Sequence, residues 1–164
     1  MNKTELIIKK LNLNPHPEGG YYRETYRSKD IIPGNNPEAG YKGERNVSTC
    51  IYYLLTADTF SAFHRIRQDE IWHFYDGNAI CLHMISPNGE YSQVLIGNDI
   101  ENNQIPQFVV PAGYWFAAKV EPDYALVGCT VSPGFDFSDF ELAKWEELIN
   151  SFPQLSDIIT PLTR

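Results

Sequence analysis

Positive charge is scarce in this sequence. Its 164 residues include 13 Lys and Arg against 21 Asp and Glu, which gives a net charge of −8 with His neutral. Binding to nucleic acid requires a dense cationic surface, and the basic residues here are scattered among more numerous carboxylates. The composition therefore argues against a nucleic-acid partner. It says little about a small substrate, because a local pocket can be cationic inside an anionic protein.

Long apolar runs and paired cysteines are also lacking. No stretch approaches the roughly 18 apolar residues of a membrane span, so we expect no membrane partner, and residues 1–13 resemble an amphipathic helix rather than a signal peptide. The three cysteines, Cys50, Cys81 and Cys129, lie in apolar runs without C-x-x-C spacing. An odd count without a pairing pattern is typical of a reducing compartment. We predict a cytoplasmic protein with buried thiols.

Helical patterns occur only near the two ends. Residues 4–11 have helical spacing with Thr4 as a candidate cap, and a capping box from Ser138 to Glu141 predicts a final helix. Between them the chain is rich in Tyr, Phe, Val, Ile and Thr, in runs separated by turn signals. We predict strands at residues 21–28, 47–55, 59–66, 70–76, 79–85, 90–96, 107–110, 114–118 and 124–132.

This order of elements restricts the fold. Parallel α/β folds need crossover helices between strands, and the sequence has none there. Short strands at this spacing indicate an antiparallel barrel or sandwich. The length suits one domain over residues 1–164, with a single long loop at residues 31–45.

One pair of predicted strands carries candidate catalytic chemistry. Alternation places His64 on an apolar face of the strand at residues 59–66. A histidine in such a row is either a satisfied core residue or a site residue. The next strand favours a site, because it begins with Glu70 and can place a carboxylate beside the imidazole, with Trp72 and Phe74 continuing the row.

The same segment resembles the first motif of the cupin superfamily. That motif has the form H-x-H, three or four residues, E, six residues, G. Here His64, Glu70 and Gly77 occupy three of the positions, and Ile66 stands where the second histidine would be.

The second cupin motif, P-x-G-x-x-H, is similar to residues 111–116, where Phe116 replaces its histidine. Cupin metal sites use three imidazoles and one carboxylate, and isoleucine and phenylalanine cannot coordinate. By strand parity His73 points away from Glu70, and His83 could substitute only by accident of register. We therefore predict no metal and no other cofactor.

A closer resemblance extends over most of the chain. Residues 16–28, 61–77 and 128–137 are similar to a cupin subfamily described as a domain of unknown function or a predicted sugar epimerase. The resemblance implies an all-β fold, the double-stranded β-helix or jelly-roll barrel of cupins, here with short N- and C-terminal helices. Because cupins commonly pair through their sheets, it also implies a homodimer, to which residues 15–28 could lend a strand.

The leading functional hypothesis is a metal-independent isomerase or epimerase that acts on a small carbonyl compound, such as a sugar derivative, in the barrel cavity. His64 would be the base, Glu70 its orienting partner and a tyrosine the acid. Arg23 would contact an anionic group. Spacing does not choose among the candidate tyrosines, of which Tyr124 enters the predicted catalytic set. The candidate acids are Tyr52, Tyr75, Tyr114 and Tyr124, and the predicted substrate-binding set is Arg23, Tyr52, Trp72, Phe74 and Phe116.

Two alternatives belong to other classes. The same cavity could bind a small ligand without turnover, which makes the protein a binding module. It could also hold a metal with a reduced ligand set and act as a metal-dependent cupin enzyme.

Overall fold

The structure is a computed structural model that describes residues 1–34, 38 and 40–164. Helix α1 (Lys3–Leu11) begins after Asn2, whose side chain accepts a hydrogen bond from the backbone of Glu5. The expected cap, Thr4, therefore lies inside the helix. No helix among the described residues is long and apolar enough to cross a membrane.

Fourteen strands and the short helices α2 and α3 follow α1. Each of the nine predicted runs overlaps one of the longer strands, and three of those strands extend one or two residues beyond the predicted bounds. Five two-residue strands were too short to leave a periodic pattern. The elements are β1 (Asn14–Pro15), β2 (Tyr21–Arg27), β3 (Ile31–Ile32), β4 (Arg45–Asn46), β5 (Thr49–Thr56), β6 (Ser61–Arg65), β7 (Asp69–Gly77), β8 (Ile80–Ile85), β9 (Tyr91–Ile96), β10 (Gln104–Ile105), β11 (Gln107–Val110), β12 (Trp115–Val120), β13 (Tyr124–Ser132), β14 (Glu141–Leu142), α2 (Trp145–Ser151) and α3 (Ser156–Ile159), with 3₁₀ turns at Ile100–Asn102, Phe137–Asp139, Pro153–Leu155 and Thr160–Leu162.

The strands form two six-stranded sheets, in the orders β1-β2-β5-β13-β7-β11 and β10-β9-β8-β12-β6-β14. All pairs are antiparallel except β9 with β10. Within this cupin-type jelly roll, strands β3 and β4 pair separately at the two ends of the predicted loop 31–45. Residues 35–37 and 39 of that loop lie outside the described residues.

The predicted capping box is wrong. Glu141 lies in β14 and its carboxylate pairs with Arg65 at 2.8 Å, whereas α2 begins only after Lys144. Asp136 instead caps the 3₁₀ turn Phe137–Asp139 by accepting the N–H of Ser138 at 2.8 Å. The capping-box motif gave the wrong helix start because residues 141–142 pair with β6 as a strand, and this pairing outweighs the local helical preference.

The main core lies between the two sheets. It is formed by inward-facing side chains that include Tyr53, Trp72, Leu82, Phe116 and Val127. Burying a large apolar side chain contributes about 1.5–3 kcal/mol, so this row stabilises the closed barrel. Two smaller clusters complete the fold, one beneath the C-terminal helices around Phe63 and Ile159, and one beneath α1 around Leu13, Leu54 and Tyr124.

Candidate active site

A tight turn brings the segment after α1 to the mouth of the barrel. His16 donates its backbone N–H to Gly20 and accepts that of Gly19, at 2.9 and 3.0 Å. Gly19 and Gly20 have φ values of 114° and 74°, which side chains other than hydrogen rarely tolerate. The backbone of Glu18 then accepts the N–H of Ala62 in β6 at 2.8 Å. This bond places the Glu18 side chain beside the inward face of β6.

His64 is held at both ring nitrogens. Nδ1 lies 2.8 Å from the carbonyl oxygen of Ala62, and Nε2 lies 2.9 Å from Oε2 of Glu18. A carbonyl oxygen only accepts, so Nδ1 donates, and an ionised Glu18 makes Nε2 a donor too. The pair is therefore an imidazolium beside a carboxylate.

Burial disfavours the charged forms of both residues, but the attraction between the two charges outweighs this cost. Burial alone would lower the pKa of His64, but the Glu18 carboxylate raises it above the usual value. Burial would likewise raise the pKa of Glu18, but His64, His16 and a 3.0 Å hydrogen bond from Ser61 lower it. The buried pair is thus ionised near neutral pH.

Glu70 has the opposite electrostatic character. It opens β7, is 9% exposed, and its burial raises the pKa to about 7, although His64 acts to lower it. The charge of Glu18 adds to the rise. Two buried carboxyl groups near one imidazole thus differ in protonation near pH 7, where Glu18 is ionised and Glu70 is about half protonated.

His16 adds a neutral imidazole to the site. Burial lowers its pKa despite the nearby Glu18 carboxylate, and Nδ1 accepts the backbone N–H of Glu18 at 3.2 Å. The proton of the neutral ring is therefore on Nε2. Among the described residues, none accepts a hydrogen bond from this atom, so it is available to a molecule in the cavity.

These groups line a cavity of about 480 Å³, a volume typical of small-molecule sites. Its wall is strongly aromatic, with Tyr22, Phe135, Phe137 and Phe140 beside His16. The ring centroids of His64 and Phe140 are 5.5 Å apart. Arg27 at the rim is paired with Glu24, Nε to Oε1 at 2.7 Å.

Three of the eight predicted site residues line this cavity and five lie elsewhere. The three are His64, Glu70 and Arg23, and the five are Tyr52, Trp72, Phe74, Phe116 and Tyr124.

Three of these five, Trp72, Phe74 and Phe116, face the barrel but lie deeper than the cavity. Trp72 and Phe116 are each 1% exposed within the main core, and Phe74 packs against it. Phe116 supports the site from below, because its ring centroid lies 4.0 Å from that of His64. Alternation identified the inward face correctly and could not give the depth along the barrel axis.

Tyr124 and Tyr52 belong to a different surface. The Tyr124 hydroxyl donates to Asp76 at 2.8 Å, in the cluster beneath α1. Tyr52 faces the same cluster. Arg23 pairs with Tyr52 across β2 and β5, and its guanidinium carbon lies 5.7 Å from the Tyr52 ring centroid. The charged end of Arg23 is thus drawn toward the outer face of the sheet.

The expected partnership of His64 and Glu70 is also different in the structure. Within the described part of the chain, the carboxylate hydrogen-bonded to His64 is Glu18. Glu18 and His16 were missed as site residues, although both lie in the segment 16–28 that resembles the cupin subfamily. The available signal was the order of residues: a histidine and a carboxylate immediately before two glycines, in a segment too polar for a core strand.

Comparison with known proteins identifies the family. A family model described as "Cupin superfamily (DUF985)" matches residues 5–143. The chain belongs to the cupin superfamily. Its curated relative in Saccharomyces cerevisiae, the uncharacterized protein YML079W, is 34% identical over 157 residues, covering 89% of this chain and 78% of that protein.

Solved structures agree with this cupin assignment. A hypothetical protein from Leishmania major superposes with a TM-score of 0.90 at 36% identity, covering 99% of both chains. Protein SO0799 from Shewanella oneidensis gives 0.89 at 39% identity, covering 100% of this chain and 99% of that one. Oxalate decarboxylase from Bacillus subtilis gives 0.55 at 12% identity over 91% of this chain and 36% of that one, which supports the fold alone.

The cupin fold raises the question of a metal, and the residues here do not fit one. Ile66 and Phe116 occupy two ligand positions and have no donor atoms, while both nitrogens of His64 are engaged by protein acceptors. Among the described residues, no three His, Cys, Asp or Glu side chains are grouped so as to hold an ion. The chemistry of this site is therefore derived from its own acid and base groups.

Proposed function

We propose that this protein is a metal-independent isomerase or epimerase that moves a proton next to the carbonyl group of a small compound, such as a sugar derivative. The observation that carries this proposal is the pair of buried carboxyl groups, Glu18 and Glu70, which lie near one imidazole and whose pKa values are shifted in opposite directions. Environments that separate two similar groups in this way are typical of acid–base sites.

Glu70 is the group best suited to transfer the proton. A general base is most effective when its pKa is near the working pH, and burial brings the pKa of Glu70 to about 7. The ionised Glu70 would take a proton from the carbon next to the carbonyl group. It would return that proton to the carbonyl carbon in an isomerisation, or to the same carbon in an epimerisation.

This assignment replaces His64 as the base. Either nitrogen of His64 would first have to leave its acceptor, Ala62 or Glu18. Glu18 is also a poor base, because its pKa is lowered. The role we assign to the Glu18–His64 pair is a fixed dipole that stabilises charge developing in the cavity.

His16 supplies the donor that an enolate intermediate needs. Its neutral ring presents Nε2–H toward the cavity, and a neutral imidazole can polarise a carbonyl group without transferring its own proton. An epimerisation also needs a proton donor on the face opposite Glu70, so a single base favours isomerisation over epimerisation.

Exchange of deuterium from solvent into a panel of aldoses and ketoses tests the proposal. We expect mass spectrometry to detect exchange with the native protein and a loss of about 10²- to 10⁴-fold in Glu70→Gln, the range for removing a general base. Glu90→Gln, at an exposed glutamate, is the matched control. Exchange that is absent across the panel, or equal in Glu70→Gln, would contradict the proposal.

A binding module is the second candidate, and the fully engaged His64 ring favours it. A site whose imidazole is already satisfied can hold a ligand without chemistry. This alternative expects micromolar binding with no exchange, and an affinity that changes little in Glu70→Gln.

Several expectations about the whole protein remain predictions. The cysteines among the described residues are free, which supports the predicted cytoplasmic location. The outward face of the six-stranded sheet containing β7 and β11 exposes Tyr75 and Val109, at 48% and 45%, which supports the predicted homodimer. Light scattering of the purified protein tests the dimer directly.

A further inference from the structure

We propose that the cavity binds an uncharged, hydroxylated ring compound, such as an unphosphorylated sugar, and discriminates against phosphate esters and carboxylates. The inference rests on the proposed function for the chemistry of the occupant, although it concerns binding alone. It is carried by the way in which the charges of the cavity wall are already paired.

Among the described residues, the buried groups around His64 leave no unpaired positive charge for an anion. The imidazolium of His64 is neutralised by Glu18 at 2.9 Å, and His16 is a neutral donor. Glu70 would repel an anion whenever it ionises. An anionic group brought here would lose its hydration without gaining a cation, which is unfavourable.

The rim is paired in the same way. The Arg27 guanidinium donates from Nε and Nη2 to the two carboxylate oxygens of Glu24, at 2.7 and 3.1 Å. Of its three other N–H donors, one on Nη1 reaches the side-chain oxygen of Asn46 at 2.8 Å and one on Nη2 reaches the carbonyl oxygen of Phe135 at 3.0 Å. Protein acceptors thus occupy the forked geometry by which arginine recognises phosphate.

Two further charges at the rim do not change this balance. Asp136 accepts the Ser138 N–H, a hydrogen bond that lowers its pKa, so it is a carboxylate that repels anions. Arg23 is the remaining cation of the lining, and its guanidinium is drawn to the Tyr52 ring on the outer face of the sheet. Glu24, Asp136 and Glu18 thus offset Arg27, Arg23 and His64, and the lining has no cationic surplus.

The uncharged part of the wall indicates what the cavity accepts. Phe135, Phe137, Phe140 and Tyr22 form an apolar surface, and the Nε2–H of His16 and the carboxyl group of Glu70 are among the polar groups that line the cavity with it. Ligand sites with this composition bind compounds that pair an apolar face with a few hydrogen-bonding groups. The C–H face of a sugar ring and its hydroxyl groups meet both requirements.

Matched pairs of probes test this inference. Calorimetry would compare D-fructose, D-tagatose, D-xylulose and D-glucose with their terminal phosphate esters and with inorganic phosphate. We expect the neutral member of at least one pair to bind at least about tenfold more tightly than its ester, given the cost of burying an unpaired charge, and inorganic phosphate not to compete. Tighter binding of the esters, competition by phosphate, or no binding by any neutral probe would overturn the inference.

A charge variant makes the test sharper. Glu24→Gln removes the carboxylate that occupies Arg27, so we expect the preference for the neutral probe over its ester to fall several-fold, and to recover partly in high salt. Glu44→Gln, at an exposed glutamate, is the control. An unchanged ratio in Glu24→Gln would show that rim pairing does not set the selectivity. Repeating the titration with Glu70→Gln separates binding from turnover, so the failure of one proposal is visible without the other.

Discussion

Two buried ionic clusters lie within the described residues, and they differ in which polar groups they leave available. In the first, Arg45 donates from Nε and Nη2 to the carboxylate of Asp139, each at 2.8 Å, and Gln68 adds a third bond to that carboxylate at 2.8 Å. The other guanidinium nitrogen, Nη1, reaches the carbonyl oxygens of Lys42 and Glu44. Within the described residues, Gln68 Oε1 is the one side-chain atom of this cluster left without a partner.

The second cluster is the cavity. There Glu18 and His64 are satisfied, but the Glu70 carboxyl group and His16 Nε2–H are directed to space that a ligand can fill. Burial of charge alone therefore does not identify a functional site. The distinguishing feature is that the available groups of the second cluster, on His16 and Glu70, line a cavity, whereas Gln68 with its unpartnered Oε1 does not.

The largest loss of stability is expected in the first cluster, where the charges of Arg45 and Asp139 are paired. Asp139→Ala leaves the Arg45 charge buried and unpaired, which costs about 3–5 kcal/mol of unfolding free energy. Urea denaturation measures this loss, and Asp123→Ala at an exposed position is the control. A loss no larger than that of the control would mean that the Arg45 cluster does not hold the fold.

A pH-dependent effect is expected in the cavity. Because the fold raises the pKa of Glu70 from 4.5 to about 7, its contribution is fully present below pH 4.5 and is lost as the pH rises toward 7. The loss is on the order of 3 kcal/mol. Glu70→Gln removes this contribution, so its stability relative to the native protein should increase from about pH 4.5 to about pH 8 in urea titrations.

His64 lowers the stability with rising pH in both proteins, since its raised pKa also favours the protonated folded state. Because Glu70 itself adds to the rise in the pKa of His64, the difference between native protein and variant reports the titration of Glu70 together with its coupling to His64. A stability difference that is constant with pH would show that Glu70 titrates normally and would weaken its assignment as the base.

The smallest effect is expected at Tyr124, which lies outside both clusters. Tyr124→Phe loses one hydrogen bond to Asp76, which contributes about 1 kcal/mol, and should leave deuterium exchange unchanged. Lys3 also pairs with Asp76 at 2.8 Å, so the carboxylate keeps a partner. A large loss of exchange in this variant would restore tyrosine as the acid.

The strands were predictable because their signal is local. Alternation and turn residues located all nine longer strands, and the order of elements excluded a parallel fold. The two-residue strands β3, β4 and β14 carry no period of their own and exist only because a partner strand lies beside them.

The site was only partly predictable, because its contacts are distant in sequence. His64 and Glu70 stand on neighbouring strands, which parity can align. The carboxylate that stabilises the protonated form of His64 belongs to Glu18, and no periodic rule links that residue to β6. Likewise, Phe116 was recognised as a replaced ligand, whereas its place against the His64 ring depends on the pairing of β12 with β6.

The hydrogen bond between Glu18 and Ala62 has a consequence for how the protein acquires its site. Closing the loop between residues 18 and 62 costs conformational entropy before any contact repays it. The Glu18 carboxylate therefore meets His64 only after the turn between β1 and β2 has reached β6. Until then Glu18 is hydrated and titrates as an ordinary side chain. The lowered pKa of Glu18 is therefore a native signature of this contact. Below pH 4.5 an ordinary glutamate is largely protonated whereas Glu18 in the folded protein stays ionised, so carboxylate infrared bands recorded during refolding at such a pH would time the formation of the site.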